Sequence, residues 1–281
     1  MSIFHPGLLE DRVAIVTGGG SGIGASISYL FSQLGARVII ASRKEERIQK
    51  AAAGLSALTQ NEVQGLVCDI RNRESVQSLV KTVMQKHGKI DILVNNGGGQ
   101  FMSPAEHIRP KGWDSVISTN LTGTWNMCQA VAKAHMLKHR GKIINITMLT
   151  DRGFPGMSHS CASRAGVEGM TKSLAVEWAT KGISINCIQP GIIASNGMRN
   201  YPGGEAIARQ VRSEIPMKRL GHCDEVANLV AFLASPAGNY ITGQIWAIDG
   251  GRNLWGKTWP LPDPKNMEPV QIQDWPWEQE D

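Results

Sequence analysis

The chain has 281 residues, of which 42% are hydrophobic and 19% charged, and a formal net charge of +5. That length suits one doubly wound domain able to bury its core without disulfide or metal staples, and a mild positive charge without a basic block argues against a nucleic-acid partner. Five cysteines are scattered with neither a C-x-x-C pair nor a zinc pattern, no window reads as a membrane span, and neither the start MSIFHPGLLEDR nor the end WEQED reads as an address, so a reduced, cytoplasmic setting without metal is expected.

In chain order, short β-branched runs alternate with longer amphipathic stretches. Strands are expected at Val13–Thr17, Arg37–Ala41, Val63–Asp69, Ile90–Asn95, Lys142–Thr147, Ser184–Gln189 and Ile245–Asp249. Helices are expected at Ile23–Leu34, closed by Gly35, and at about 43–57, 73–87, 110–138, 158–180 and 222–235. Continuous apolar strands separated by helices predict an α/β fold: a Rossmann-type, doubly wound, seven-stranded parallel sheet in a single domain over 1–251. Two segments break the rhythm. Residues 193–217 fall where a helical lid over a substrate would be inserted. Residues 252–281 carry four tryptophans and five prolines. We expect this extended tail to be non-helical and to pack on its own subunit or on a neighbour.

The chemistry-bearing motifs sit at strand ends. Thr17-Gly18-Gly19-Gly20-Ser21-Gly22-Ile23-Gly24 follows the first strand and opens the first helix. Glycines there allow a tight turn and close approach of a pyrophosphate, and the helix start offers unpaired N–H groups to it. An acidic residue ending the second strand would select NAD through the ribose hydroxyls. This chain reads Ser42-Arg43-Lys44 instead, so Arg43 stacks on adenine and pairs with a 2′-phosphate, Ser42 hydrogen-bonds that phosphate and Lys44 adds charge. The expected cofactor is NADP(H). Asp69 and Ile70 end the third strand, with Asp69 placed to accept from the adenine amino group. Asn96 and Gly97 follow the fourth.

With these motifs, and with Asn120, Pro190-Gly191 and Asp249-Gly250-Gly251, residues 9–252 resemble the short-chain dehydrogenase/reductase family. The stretch from Asn95 to Ile108, together with His159-Ser160 and Arg164-Ala165-Gly166-Val167, is similar to the peroxisomal trans-2-enoyl-CoA reductase branch and, slightly further off, to the 2,4-dienoyl-CoA reductases. The resemblance implies a homotetramer and hydride transfer from a nicotinamide. It assigns Pro190, Gly191 and Ile193 to the segment that holds the carboxamide, with Ser195 just beyond.

The same resemblance exposes a departure. Family members use Tyr-x-x-x-Lys on the fifth helix; here those positions are Ser160 and Arg164, and the upstream Ser position falls at Thr147 or Met148. The tyrosines are Tyr29, Tyr201 and Tyr240. The Tyr that the enoyl-CoA relative places after its Gly-Val is Glu168 here, and the upstream Tyr of the dienoyl branch is Leu149. Serine is a far weaker acid than tyrosine and arginine stays charged, so the pair suits carbonyl reduction poorly. Reduction of an activated C=C is less demanding, since the developing enolate mainly needs donors. Ser160 and Asn120 are candidate donors, and Arg164 holds the ribose and adds positive charge. His159 is read as structural, Glu168 as an i,i+4 partner of Arg164, and Tyr201 as a residue of the lid. The expected function is NADPH-dependent reduction of an enoyl-thioester-like alkene. Its alternatives are a non-redox reaction on the same scaffold or a catalytically silent NADP-binding homologue.

Overall fold

A computed structural model of the chain describes residues 4–197, 211–257, 259–265 and 270–278. The elements run β1 (Val13–Thr17), α1 (Gly22–Gln33), β2 (Arg37–Ser42), α2 (Glu45–Thr59), β3 (Val63–Val67), α3 (Arg73–His87) and β4 (Ile92–Asn95). A long helical stretch then spans α4 (Pro110–Ile117), α5 (Gly123–Val131) and α6 (Leu137–His139), followed by β5 (Gly141–Ile146), α7 (Ser158–Ala179) and β6 (Ile183–Pro190). After β6 come β7 (Ile193–Ala194), β8 (Gly221–His222), α8 (Cys223–Ala234) and β9 (Ile245–Ile248).

Seven strands form one parallel sheet in the order β3-β2-β1-β4-β5-β6-β9. The order reverses at β1, so the crevice at the carboxyl ends of β1 and β4 is the topological switch point. β1 is buried along its whole length, as a central strand covered on both faces must be. On one side Ile27 and Phe31 of α1, Leu55 of α2 and Val226 and Val230 of α8 pack against Val16, Ile40 and Ile144. On the other, Val76 and Val83 of α3, Met127 and Val131 of α5 and Leu174 of α7 pack against Ile15, Ile39 and Leu93. Each such side chain contributes roughly 1.5–3 kcal/mol of transfer free energy.

The expected sheet and helices are present with shifted ends: β3 stops at Val67 rather than Asp69, and β4 starts at Ile92 rather than Ile90. The helix expected at 110–138 is interrupted by two wider π turns, Ser118–Thr122 and Ala132–Met136. The segment read as a lid begins as β7, which pairs in parallel with β8 in a small second sheet. Ile215 and Leu220 pack with Ala194 beside it. Residues 198–210, including Tyr201, lie outside the described residues. The tail packs on its own chain. Trp275 is 6% exposed, stacks on Trp277 at 5.1 Å and leans on Tyr29 of α1 at 5.5 Å. The tail is not wholly irregular, because Pro276–Glu278 forms a single 3-10 turn. Proline is compatible with the first position of such a turn, where no N–H is needed. Among the described residues no helix is long and apolar enough to cross a membrane.

Candidate active site

The glycine turn after β1 is stitched to the end of β4. Thr17 Oγ1 accepts from Gly97 N at 2.9 Å and from Asn96 N at 3.1 Å. Asn96 Nδ2 donates to Thr17 O at 3.1 Å and to Gly18 O at 3.2 Å. Gly18 N donates to Ala41 O at 2.8 Å, which ties the turn to β2 as well. Gly22, at φ +46°, opens α1. Ser21 makes no side-chain cap there, and no acidic side chain lies in the first turn, so α1 leaves its N-terminal amides to groups from elsewhere. Across the crevice, a Cβ on Gly22 would stand 3.4 Å from Ser195 Cβ. Residues far apart in sequence thus close on one place.

The adenosine end carries Ser42, Arg43 and Lys44 in the order expected, with Arg43 and Lys44 exposed. Asp69 is already engaged. Its carboxylate accepts from Arg71 Nε at 2.9 and 3.1 Å and from Arg71 N at 3.0 Å. The Arg71 bond holds the Asp69 carboxyl below its usual range. Arg71 is therefore a further cation at this end that the motifs did not single out. Ile70 packs under Gly123 at the start of α5.

At the nicotinamide end, β6 runs to Pro190, and Gly191 N donates to Ile248 O at 2.9 Å. The buried Ile193 continues into β7. Arg164 is 9% exposed. Its Nη1 donates to Ile146 O at 2.9 Å, while its Nε is buried with no hydrogen-bond partner among the described residues. Burial pulls its pKa down to about 10, and no carboxylate contributes to that shift. A buried cation with an unsatisfied N–H calls for a polar or anionic ligand. The guanidinium lies against Gly98 through its Nη2, beside the switch point, where a nicotinamide ribose would offer hydroxyls.

Two roles expected from sequence are corrected. Asn120 does not present a free side-chain donor: its Oδ1 accepts from Gly99 N at 2.9 Å, and its Nδ2 donates to Gly99 O at 3.0 Å and to Ser163 Oγ at 3.3 Å. The π turn swings this residue inward, and its amide is used up in bracing the loop after β4. Glu168 does not pair with Arg164. Its carboxylate accepts from Thr150 Oγ1 at 3.1 Å, Gln189 Nε2 at 2.9 Å and Thr147 Oγ1 at 3.4 Å. Burial nevertheless raises its pKa. Thr147 turns away to Glu168 and to Cys187 at 3.1 Å. Met148 takes the other of the two open alternatives, because its sulfur is 3.4 Å from Ser160 Oγ.

Ser160 is fully buried in the first turn of α7 and donates to Gln100 Oε1 at 2.7 Å. Gln100 was not singled out as a site residue, although it directly follows the glycines after β4. His159 is fully buried, edge-on to Phe101 at 4.4 Å. Tyr29 is committed to Trp275, and Tyr240 is fully exposed. Burial pushes the Cys128 and Cys187 thiols up to about 12, so neither is a thiolate nucleophile.

Comparison with known proteins places the chain in a family. Residues 18–253 match the family described as enoyl-(acyl carrier protein) reductase. The chain is 37% identical over 251 residues to the peroxisomal 2,4-dienoyl-CoA reductase of Rattus norvegicus, covering 89% of this chain and 86% of that one. It is 37% identical over 247 residues to the 3-oxoacyl-acyl-carrier-protein reductase FabG of Thermotoga maritima, covering 86% and 98%. A solved structure, the citronellol catabolism dehydrogenase AtuB of Pseudomonas aeruginosa PAO1, superposes with a TM-score of 0.81 at 38% identity, covering 90% of this chain and 99% of the other. The chain belongs to the short-chain dehydrogenase/reductase family of nicotinamide-dependent oxidoreductases.

Proposed function

We propose that this protein is an NADPH-dependent reductase of an activated carbon–carbon double bond, with an enoyl thioester as substrate class. The observation that carries this reading is the buried Arg164, without a carboxylate partner, one helical turn from a buried Ser160. These stand where carbonyl reducers of the family keep lysine and tyrosine.

NADPH, when bound, supplies the hydride. Arg43, Ser42 and Lys44 would grip its 2′-phosphate, the N–H groups of Gly22, Ile23 and Gly24 would receive the pyrophosphate, and the Arg164 guanidinium would hold the ribose. Pro190, Gly191, Ile193 and Ser195 line the carboxamide. Conjugate addition at the β-carbon places negative charge on the thioester oxygen. The Arg164 cation offsets that charge in a region of low dielectric, and the Ser160 hydroxyl, now given to Gln100, turns its hydrogen to the oxygen. Asn120 acts on position, by fixing Gly99 through both ends of its amide. No side chain with the acidity of tyrosine is needed, because water can deliver the α-proton. The name of the rat relative, a reductase of 2,4-dienoyl-CoA, supports an acyl-thioester alkene. We assign the domain to 1–251 with the tail at 252–281, a homotetramer and a cytoplasmic setting.

The test is NADPH consumption with a panel of 2-enoyl- and 2,4-dienoyl-CoA thioesters beside simple ketones and 3-oxoacyl thioesters. Oxidation is expected with the alkenes alone. Tight NADPH binding without oxidation across the alkenes would sink the reading, and substrate turnover without NADPH loss would replace it with a non-redox reaction.

A further inference from the structure

The tail reaches the turn that the cofactor needs. After Gln273, whose N donates to Ala194 O at 3.3 Å and whose Oε1 accepts from Ser26 Oγ at 3.3 Å, the chain crosses α1. Trp275 settles on Tyr29. Trp277 Nε1 then donates to Gly20 O at 2.8 Å, inside the glycine turn. The Trp277 ring lies flat enough on α2 that a Cβ at Gly54 would collide with it. The 3-10 turn finishes with Glu278. Its carboxylate accepts from Trp275 N at 3.1 Å and lies near the Asn196 side chain and the backbone amide of Gly22. The tail thus runs from the segment after β6 over the first turns of α1 to the glycine turn, beside the place where the middle of a dinucleotide would run.

A carboxylate on the first amide of α1 is an anion on an anion site. It stands beside an N–H that a pyrophosphate would use, and its charge repels the two charges of a pyrophosphate on these amides. Glu278 is half-buried, and burial together with nearby Asp274 makes its charged form less comfortable there. The contact is held by the anchored tryptophans rather than by the carboxylate alone.

We propose that the C-terminal tail is a strap across the cofactor site, with the Glu278 carboxylate standing in for a pyrophosphate oxygen on Gly22, so that tail docking and dinucleotide binding exclude each other. This rests on the reading that the glycine turn holds the dinucleotide. The strap reduces apparent cofactor affinity by the fraction of molecules in which it is undocked. Whatever releases the tail then opens the enzyme.

Calorimetry of the full-length protein and its Glu278→Gln and Trp277→Ala variants tests this with three probes: NADPH, NADH and adenosine 2′-monophosphate, which has no pyrophosphate. Both variants are expected to bind NADPH and NADH more tightly by the same factor, about tenfold, an ordinary size for coupling between two sites. Adenosine 2′-monophosphate binding should not change. Hydrogen exchange is expected to show the amides of 271–278 losing protection when NADPH is added to the parent protein. Unchanged affinity in both variants, equal gains for adenosine 2′-monophosphate, or tail amides that gain protection on NADPH addition would each overturn the strap. If no protein in the set binds any dinucleotide, the cofactor reading falls and the strap with it. An equal response of NADPH and NADH, with neither preferred by the parent, removes only the NADP preference.

Discussion

The guanidinium of Arg164 lies against the Cα of Gly98, so closely that a Cβ at position 98 would collide with Nη2. The glycine after β4 and the arginine on α7 are one fitted pair, and the loop braced by Asn120 is what sets their distance. Gly98→Ala should push the guanidinium off its seat. Overpacking of this kind costs about 1–3 kcal/mol, and the displaced cation no longer faces the ribose. We expect a melting temperature lower by several degrees in thermal unfolding and NADPH binding weaker by about tenfold, the effect of one lost charge-assisted contact. Unchanged affinity would detach Arg164 from the cofactor.

Ser160 and Arg164 separate two chemistries. Ser160→Ala removes the O–H that Gln100 now accepts. Loss of one donor to a developing oxyanion costs on the order of 100-fold in kcat. KM should change little, since ground-state binding does not depend on that bond. The double variant Ser160→Tyr with Arg164→Lys restores the acid and base of ordinary family members and should gain ketone reduction that the parent lacks. A double variant that folds, binds NADPH and still reduces no ketone would show that other residues block carbonyl substrates.

The sheet was legible because its central strands are largely apolar runs buried along their length, as in Val13–Thr17 and Ile183–Pro190. The glycine turn was legible because its spacing serves the backbone directly. Contacts made through side chains between distant elements were not. Periodicity put Glu168 beside Arg164, yet the hydroxyls of Thr147 and Thr150 and the amide of Gln189, on other segments, outcompete a one-turn pairing. Asn120 reads as a donor, and its spacing does not reveal the π turn at Ser118–Thr122 that brings its amide onto Gly99. The tail gave only its composition. Nothing in Trp275-Pro276-Trp277-Glu278 announces that it docks on Gly20 and Gly22.

The proposed NADPH preference rests on Arg43. It is exposed and lies close enough to Asp69 to help lower that carboxyl's pKa, after Arg71 and its bonds. Arg43→Ala should weaken NADPH by about 10–100-fold, the loss of a charge-assisted phosphate contact of roughly 1.5–3 kcal/mol, and leave NADH nearly unchanged. The NADPH preference should also fall with added salt, because the pair is solvent-exposed. Equal losses for both cofactors in a titration would assign Arg43 to adenine stacking alone.

Lys142 offers a gain in stability without touching the site. It lies in β5, in register with Ile92 and Ser184, and its Nζ is buried without a hydrogen-bond partner among the described residues. Burial, helped by Arg12, lowers its pKa from the usual lysine range to about 8. The folded form therefore releases this proton before the unfolded form does. Below pH 8 folding carries the full cost of the buried charge. Between about pH 8 and the ordinary lysine value near 10.4 the unfolded chain keeps a proton that the native state has lost, so this residue makes stability rise with pH. The whole shift corresponds to roughly 3 kcal/mol, which partial solvent access along the stem cuts to about 1–2 kcal/mol. Lys142→Met keeps the stem and drops the charge. At neutral pH it should raise the melting temperature by about 2–8 °C, and the gain should shrink as pH approaches 10. A variant no more stable at pH 7, or a gain that grows with pH in thermal unfolding, would place the ammonium in water instead.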